Sequence, residues 1–281
     1  MRLSGNVRKP GKYQEETNMP AFYAHRKFGA SVTEALSEEM IAVINNHRTQ
    51  FDLGCQGPDI FFFYRPWGTN AVNKYGNQLH EDPAKELFER GAKIIRKYGQ
   101  DSAQAAYVYG VVCHFSLDSE CHPYVAEMIE KTGVAHIEIE EEFEKYVMRI
   151  DGVNPFSTDL SKMVPTDRET VDAVKPLYPA PAWGEVRESL VELKVFKKII
   201  CQPSAKGQER INRLLKLTGM YEVHKGQMNQ MVDNLACTES NAGLWERFLG
   251  AVSVAASLIE DLNASAKTGK PLSVRFERNF E

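Results

Sequence analysis

The chain has little of what marks a disulfide-stabilised or membrane-spanning protein. Only five of its 281 residues are cysteine, an odd number without the spacing of a disulfide scaffold, which favours a reducing compartment. No stretch approaches the roughly 18 consecutive apolar residues that a membrane-spanning helix needs, so no transmembrane segment is expected. The first 18 residues are polar and lack the apolar core of a secretory signal. These absences predict a cytoplasmic protein.

An excess of positive charge is also missing. The chain carries 34 Lys and Arg against 38 Asp and Glu, which gives a formal net charge of −4 at pH 7. Proteins that bind nucleic acid neutralise its phosphates with clustered cations. No stable nucleic-acid partner is therefore expected from the overall charge.

Helical periodicity dominates what remains. Residues 1–18 form a polar leader, which we interpret as disordered or as a remnant of expression cloning, and residues 19–281 are predicted to form a single helical domain. The Pro-rich stretch 151–187 is predicted to be a long surface loop with one short helix near Asp167–Val174. A strand-like alternation occurs only in the tail, 272–280, so the chain is predicted to be all-α. The predicted helices are 31–54, 81–99, 101–122, 134–151, 185–200, 207–219 and 243–263.

The segment CHFSLDSECHPY, followed by HIEIEEEF, is the most informative part of the chain. It places His114, Asp118 and His122 four residues apart, and then His136 and Glu140 four residues apart. Residues at i and i+4 lie above one another on a helix. Because imidazole nitrogen and carboxylate oxygen are the usual zinc ligands of hydrolytic sites, the spacing predicts a metal site on two consecutive helices.

The sequence around His114 and Asp118 indicates whether these residues are buried. The stretch AAYVYGVVCHFSL is almost uncharged, so His114 and Asp118 are predicted to be buried. A buried carboxylate needs a charged or hydrogen-bonding partner, and a divalent cation supplies one. The alternative is an acidic surface on the second helix. Glu138, Glu141 and Glu142 lie off its metal-facing side and are predicted to be solvated.

Three earlier residues extend the pattern: His25, His80, and Asp59 within the apolar stretch GPDIFFF. In this order and in an all-α setting, the chain resembles the zinc-dependent phospholipase C family, whose relatives of the same fold are single-strand-specific zinc nucleases. The resemblance covers roughly residues 20–150. The candidate metal ligands are His25, Asp59, His80, His114, Asp118, His122, His136 and Glu140.

The resemblance implies a site of two or three zinc ions (Zn²⁺). Asp59 is the implied general base as well as a ligand. The family places its central His six residues after the Asp, whereas His122 follows Asp118 after four. The family also uses an N-terminal Trp at the third zinc, and this sequence has no Trp before Trp67, so a dinuclear enzyme stays an alternative. The implied ligand sets are Asp59, His80, His114 and Asp118; His122, His136 and Glu140; and His25 with a bridging Asp118.

The implied activity is phosphodiester hydrolysis by a metal-activated water, with a phospholipid headgroup or another small phosphodiester as the ligand. The alternatives are a nuclease or nucleotidase of the same fold and a non-catalytic metal-binding helical protein. The sequence shows neither a membrane anchor nor a basic amphipathic helix, either of which would give access to bilayer lipid. A soluble phosphoester is therefore an alternative substrate. The Phe run 61–63 is interpreted as packing beneath the metals. Tyr64 and Trp67 are left undecided between packing and lining a pocket, and His47 and His224 are interpreted as structural.

Overall fold

The computed structural model describes residues 21–219, 221 and 228–281. Within these ranges the regular structure consists of α-helices and short 3₁₀ helices and contains no β-strand, so the all-α prediction is confirmed. The predicted leader, 1–18, and His224 lie outside the described residues. The single-domain organisation of residues 19–281 stays a prediction.

A central helix, α6, organises the fold. Its first five turns are almost fully buried, and α1, α3, α5, α8 and α11 pack around it. The α-helices of the described residues are α1 (Phe22–Glu34), α2 (Glu38–Asn46), α3 (Arg48–Gly54), α4 (Ala71–Glu81), α5 (Lys85–Tyr98), α6 (Ala103–Thr132), α7 (His136–Ile150), α8 (Arg168–Val174), α9 (Trp183–Ile200), α10 (Ala205–Leu217) and α11 (Thr238–Thr268). The 3₁₀ helices are Gly57–Phe63, Leu160–Met163, Leu235–Cys237 and Val274–Glu277.

The helix α6 begins as predicted and ends later than predicted. The hydroxyl of Ser102 accepts a hydrogen bond from the first turn, as an N-cap does. The prediction that the helix ends before Pro123 is wrong, because α6 continues to Thr132. Proline has no N–H for the carbonyl of Ser119, four residues earlier. That carbonyl instead accepts a hydrogen bond from the guanidinium of Arg278 in the C-terminal tail.

The predicted helix over 31–54 is also wrong in its boundaries. It is three helices, the first of which already begins at Phe22. The hydroxyl of Thr33 donates to the carbonyl of Gly29 and lies inside α1 rather than at a cap. Ser37 has extended backbone angles and precedes Glu38 and Glu39, whose charges favour a helix N-terminus there.

One helix has no counterpart among the predicted elements. The side chain of Asn70 accepts hydrogen bonds from the N–H groups of Val72 and Asn73 and thereby starts α4. The predicted short helix near Asp167–Val174 is present as α8, with Asp167 as its N-cap. The strand-like tail contains a 3₁₀ helix instead, because Phe276 and Phe280 are buried in the core.

The C-terminal helix is relevant to the prediction that the chain has no transmembrane segment. By length and composition alone, the segment Leu235–Thr268 could cross a membrane, and 39% of its most apolar window is buried inside the protein. The same helix carries Glu246 and Arg247 and packs along α6. Because the criterion uses length and composition only, the absence of a transmembrane segment stays a prediction.

Candidate metal centre

Five elements converge on the predicted metal ligands. They are α1, the 3₁₀ helix Gly57–Phe63, the last turn of α4, the middle of α6 and the first two turns of α7. All the predicted ligands are buried except His136, whose side chain is 22% exposed. The structure brings their donor atoms together in three groups, numbered in this order: Asp59, His80 and His114; His25, His114 and Asp118; and His122, His136 and Glu140.

The first group surrounds the carboxylate of Asp59. Its Oδ1 lies 2.9 Å from Nε2 of His80 and 3.7 Å from Nε2 of His114. Nδ1 of His80 donates to the carbonyl of Gly76 at 2.8 Å, and Nδ1 of His114 donates to the carbonyl of Cys55 at 3.2 Å. These bonds hold each ring so that Nε2 faces the carboxylate, as the outer partners of metal-bound histidines do.

A glycine makes the approach of α6 to this group possible. Gly57 has a φ of +52°, and a Cβ at this position would lie 2.2 Å from the His114 ring. Any larger residue would be strained in this conformation and would displace the imidazole. Gly57 therefore allows the 3₁₀ helix to place Asp59 beside His114.

The second group shares His114 with the first. Nε2 of His114 lies 3.0 Å from Oδ2 of Asp118, and Nε2 of His25 lies 3.3 Å from Oδ1 of the same carboxylate. The rings of His25 and His114 are 4.5 Å apart at their centroids. Asp118 therefore lies between two imidazoles from different helices, as the resemblance implies for a bridging carboxylate.

The third group lies where α6 meets the start of α7. Oε1 of Glu140 is 2.9 Å from Nε2 of His136 and 3.5 Å from Nε2 of His122. The spacing of four residues between Asp118 and His122 keeps both on one face of an unbroken helix. His122 therefore reaches the third group in spite of the tighter spacing. Ligation by the residues of all three groups stays a prediction.

Burial sets the protonation of most of the site. It lowers the pKa of His25 to about 3 and that of His114 to about 4, so both imidazoles are neutral near pH 7. Burial also raises the pKa of Asp118. Neutral imidazole is the form that binds a metal ion. A cation among these groups would offset the cost of burying carboxylates.

His80 and the third group are the exceptions. The burial of His80 is outweighed by the hydrogen bond and charge of Asp59, which raise the pKa of this imidazole. Burial acts to lower the pKa of His122, but the charges of Asp118 and Glu140 outweigh it and raise the pKa to about 9. Burial likewise acts to raise the pKa of Glu140, but the charge of His136 and hydrogen bonds from both imidazoles lower it to about 2. In the third group the attraction between imidazoles and carboxylates outweighs the effect of burial.

Several buried atoms of the candidate ligands have no hydrogen-bond partner and are available to bind a metal ion. Among the described residues, Nδ1 of His25, Nε2 of His114, Oδ2 of Asp118 and Oε2 of Glu140 are buried and make no hydrogen bond. Buried polar atoms without hydrogen bonds are rare and need an explanation. Donors placed tetrahedrally at zinc distances lie about 3.3–3.6 Å apart, close to the separations of 2.9 to 3.7 Å found here. The residues fit zinc in both chemistry and spacing.

The acidic residues predicted to be solvated are not. Glu141 and Glu142 are 2% and 4% exposed, and Nζ of the buried Lys145 lies 3.3 Å and 2.8 Å from their carboxylates. Glu138 is half-buried and accepts a hydrogen bond from the side chain of Asn234. The prediction is wrong because residues 228–237 pack along this face of α7. Lys145 at i+3 and i+4 was the available signal.

The buried carboxylate of Glu144 stabilises the start of α1. The carboxylate of Glu144 accepts hydrogen bonds from the N–H groups of Tyr23 and Ala24 at 2.8 Å and 2.9 Å. It thereby caps α1 directly before His25. Burial raises the pKa of Glu144 to about 7 although the charge of the buried Lys197 opposes this. No spacing in the sequence indicates this contact, since it joins residues 120 positions apart.

The remaining candidate residues among those described are not part of the three ligand groups. Phe62 stacks on His80 with ring centroids 5.2 Å apart, which agrees with packing beneath the site. Tyr64 is buried, whereas Trp67 is 81% exposed. His47 lies 3.4 Å from Asp101 and joins none of the three groups found among the described residues.

Comparison with known proteins supports the same assignment. Residues 24–183 match the family model described as zinc dependent phospholipase C. Neither the search of curated proteins nor that of solved structures gave a match. The matched segment spans more than half of the chain and contains all three ligand groups. The chain belongs to the zinc-dependent phospholipase C family.

Proposed function

We propose that this chain is a zinc-dependent phosphodiester hydrolase that cleaves a phospholipid or a related phosphodiester with a metal-activated water. The observation that carries the proposal is the continuity of the three groups. The first and second share His114, and the third continues the same helical stripe through His122. Donors arranged in this way can hold two or three ions around one phosphodiester group.

Zinc ions in such a site supply Lewis-acid stabilisation of phosphoryl oxygens and lower the pKa of a water. The protein's own residues supply the base and determine the direction from which the substrate approaches. The buried carboxylate of Asp59, held by His80, is the candidate base that takes the proton of the attacking water. His136 is the most exposed of the ligands, so the substrate is expected to approach from the first turn of α7.

Metal content and turnover on the same sample test the proposal. We expect two or three zinc ions per chain by elemental analysis and hydrolysis of a phosphodiester in a panel of a short-chain phospholipid, a nucleotide diester and single-stranded DNA. His114→Ala should lose more than one ion, because His114 belongs to two groups. His47→Ala is the matched control and should keep both metal and activity. Fewer than about one tightly bound ion, or no hydrolysis of any substrate by the zinc-loaded chain, would refute the proposal.

We also propose that the protein works in a reducing, cytoplasmic environment. All five cysteines are free thiols, and four of them are buried. Alkylation of a native cell extract followed by mass spectrometry tests this. Oxidised cysteines in the freshly isolated protein would contradict it.

A further inference from the structure

Four large apolar side chains of α10 and of the segment that packs on it are exposed. Leu214 and Leu217 on α10 are 61% and 80% exposed, and Val232 and Leu235 in the following segment are 84% and 82% exposed. Among the other exposed large apolar side chains of the described residues, Trp67 and Val274 each lie singly, in other parts of the chain. Large exposed apolar side chains grouped in one part of a surface indicate an interaction site. We call α10 together with residues 228–235 the docking surface.

The charge of α10 is opposite to that of the whole chain. The helix carries Lys206, Arg210, Arg213 and Lys216 against the single carboxylate of Glu209, a net of three positive charges, whereas the chain carries −4. A cationic helix of this kind is typical of a membrane-surface element. The expectation that the chain lacks a basic amphipathic helix stays untested, and α10 is the element on which it can be examined.

The exposed leucines and the cations share one face of α10. Leu214 follows Arg210 by four residues, and Leu217 follows Arg213 by four, so all four side chains lie close together. The opposite face contains the buried Gln208. Leucines surrounded by cations can enter the interfacial region of a bilayer while the cations contact phosphate groups.

Hydrogen bonds connect the docking surface to α7. Gln208 on α10 bonds the backbone of Asn229 and Met231. The next residues bond α7, because Gln230 N–H donates to Glu141 and Asn234 N–H donates to Glu142. The same helix supplies His136 and Glu140 to the third ligand group. The docking surface therefore packs on α7, the helix that also supplies ligands, but on a side of that helix other than its metal-facing side.

We propose that the docking surface binds the face of an anionic phospholipid bilayer and thereby holds the protein at a membrane. The occupant follows from charge complementarity, since cations beside leucines match anionic headgroups above acyl chains. This inference rests on the proposed function, because it names the bilayer as the form in which the phosphodiester is presented. It accounts for a basic, apolar surface on an acidic protein.

Vesicle sedimentation with the full zinc-loaded chain tests the inference. Vesicles of phosphatidylcholine mixed with phosphatidylglycerol should bind the protein, and vesicles of phosphatidylcholine alone should bind it much less. Each cation removed at an anionic surface weakens binding about fivefold, so Arg210→Gln with Arg213→Gln should weaken it about 25-fold. Added salt should weaken the wild-type interaction.

The apolar contribution is tested with a matched pair of charge insertions. Leu214→Glu with Leu217→Glu should abolish sedimentation with mixed vesicles, whereas Val274→Glu, at an 85% exposed position outside the docking surface, should sediment like the wild type. Thermal melts of each variant verify folding. Equal binding to both vesicle types, or wild-type binding by the double leucine variant, would overturn the inference. Hydrolysis of a dissolved short-chain substrate by the wild type measures the proposed function separately, so either can fail alone.

Discussion

At the scale of single residues, Asp59 is the carboxylate on which ligation and proton transfer would both depend. It lies in hydrogen-bonding contact with His80 and in reach of His114. Asp59→Asn keeps the size of the side chain and removes its basicity. We expect kcat for a phosphodiester to fall about 10²–10⁴-fold, the usual contribution of a general base. The measurement is steady-state kinetics with zinc analysis of the same sample.

The zinc analysis separates the two roles of Asp59. The third ligand group does not include Asp59, so its metal should remain bound in the variant. Asp52→Asn is the control, because Asp52 pairs with Arg26 and Arg48 away from the three groups. An unchanged kcat in Asp59→Asn would remove Asp59 from the mechanism.

Glu144 gives a prediction about pH. Burial raises its folded-state pKa to about 7, above the unfolded value of about 4.3. Between these values the folded state holds more protons than the unfolded state, so this group lowers stability as pH rises from about 4.3 to 7. Glu144→Gln removes the titration. The stability of the wild type relative to the variant should therefore decrease across this range, as measured by urea unfolding at several pH values.

A pH-independent stability difference between the wild type and Glu144→Gln would contradict that assignment. Glu144→Ala adds a second test, since it leaves the N–H groups of Tyr23 and Ala24 without their acceptor. Loss of a helix cap costs about 1 kcal/mol. Because the capped turn precedes His25, the variant should also bind zinc less tightly.

Residue types and their spacing predict much of the candidate site, but they do not predict the backbone groups that orient the ligands. His114, Asp118 and His122 were visible because helical geometry makes i and i+4 neighbours. The carbonyls that orient the imidazoles, those of Gly76 and Cys55, were not visible. Every residue has a backbone carbonyl, so only the folded chain shows which ones face a histidine.

At the scale of the elements, α6 continues through Pro123 because the tail supplies a substitute donor. The guanidinium of Arg278 bonds the carbonyl of Ser119 and also pairs with Glu120 at 2.8 Å. Arg278→Ala should lower the free energy of unfolding by about 1.5–3 kcal/mol, the usual contribution of a hydrogen bond to a charged group. Urea denaturation measures this change.

A double-mutant cycle isolates the proline effect. In Pro123→Ala the restored N–H can bond the Ser119 carbonyl, so Arg278→Ala should cost less in that background. Arg275→Ala is the matched control, because Arg275 also pairs with Glu120 but is not bonded to Ser119. Equal costs of Arg278→Ala in both backgrounds would show that the tail does not support the helix at this point.

Local sequence signals located most helices, but α4 was missed although its N-cap, Asn70, is a local signal. The glycine that ends α6, Gly133, adopts the left-handed conformation typical of helix ends, but the prediction ended the helix ten residues earlier, before Pro123. The passage through Pro123 was not predictable from local signals, since it needs Arg278 from 155 positions further on in the chain. Burial of Glu141 and Glu142 likewise depends on residues 228–237, which lie far away in sequence.

At the scale of the whole molecule, the metal centre joins helices that are distant in sequence. The three ligand groups connect α1, α4, α6 and α7 with the 3₁₀ helix Gly57–Phe63. Buried carboxylates and imidazoles without an ion leave polar atoms without hydrogen bonds in the core. Bound metal should therefore stabilise the fold as a whole and not the site alone.

Removal of metal tests this coupling. A ligand present at about 1,000 times its Kd stabilises the folded state by about 4 kcal/mol per site, and about 1 kcal/mol shifts Tm by about 2 °C in a chain of this size. Treatment with a chelator should therefore lower Tm by about 8 °C for each ion removed, and added zinc should restore it. In His114→Ala the chelator should cause a smaller shift, because this variant starts with fewer ions, whereas His47→Ala should behave like the wild type. A Tm unaffected by chelation in a sample shown to have lost its zinc would mean that the protein core tolerates these buried groups without an ion.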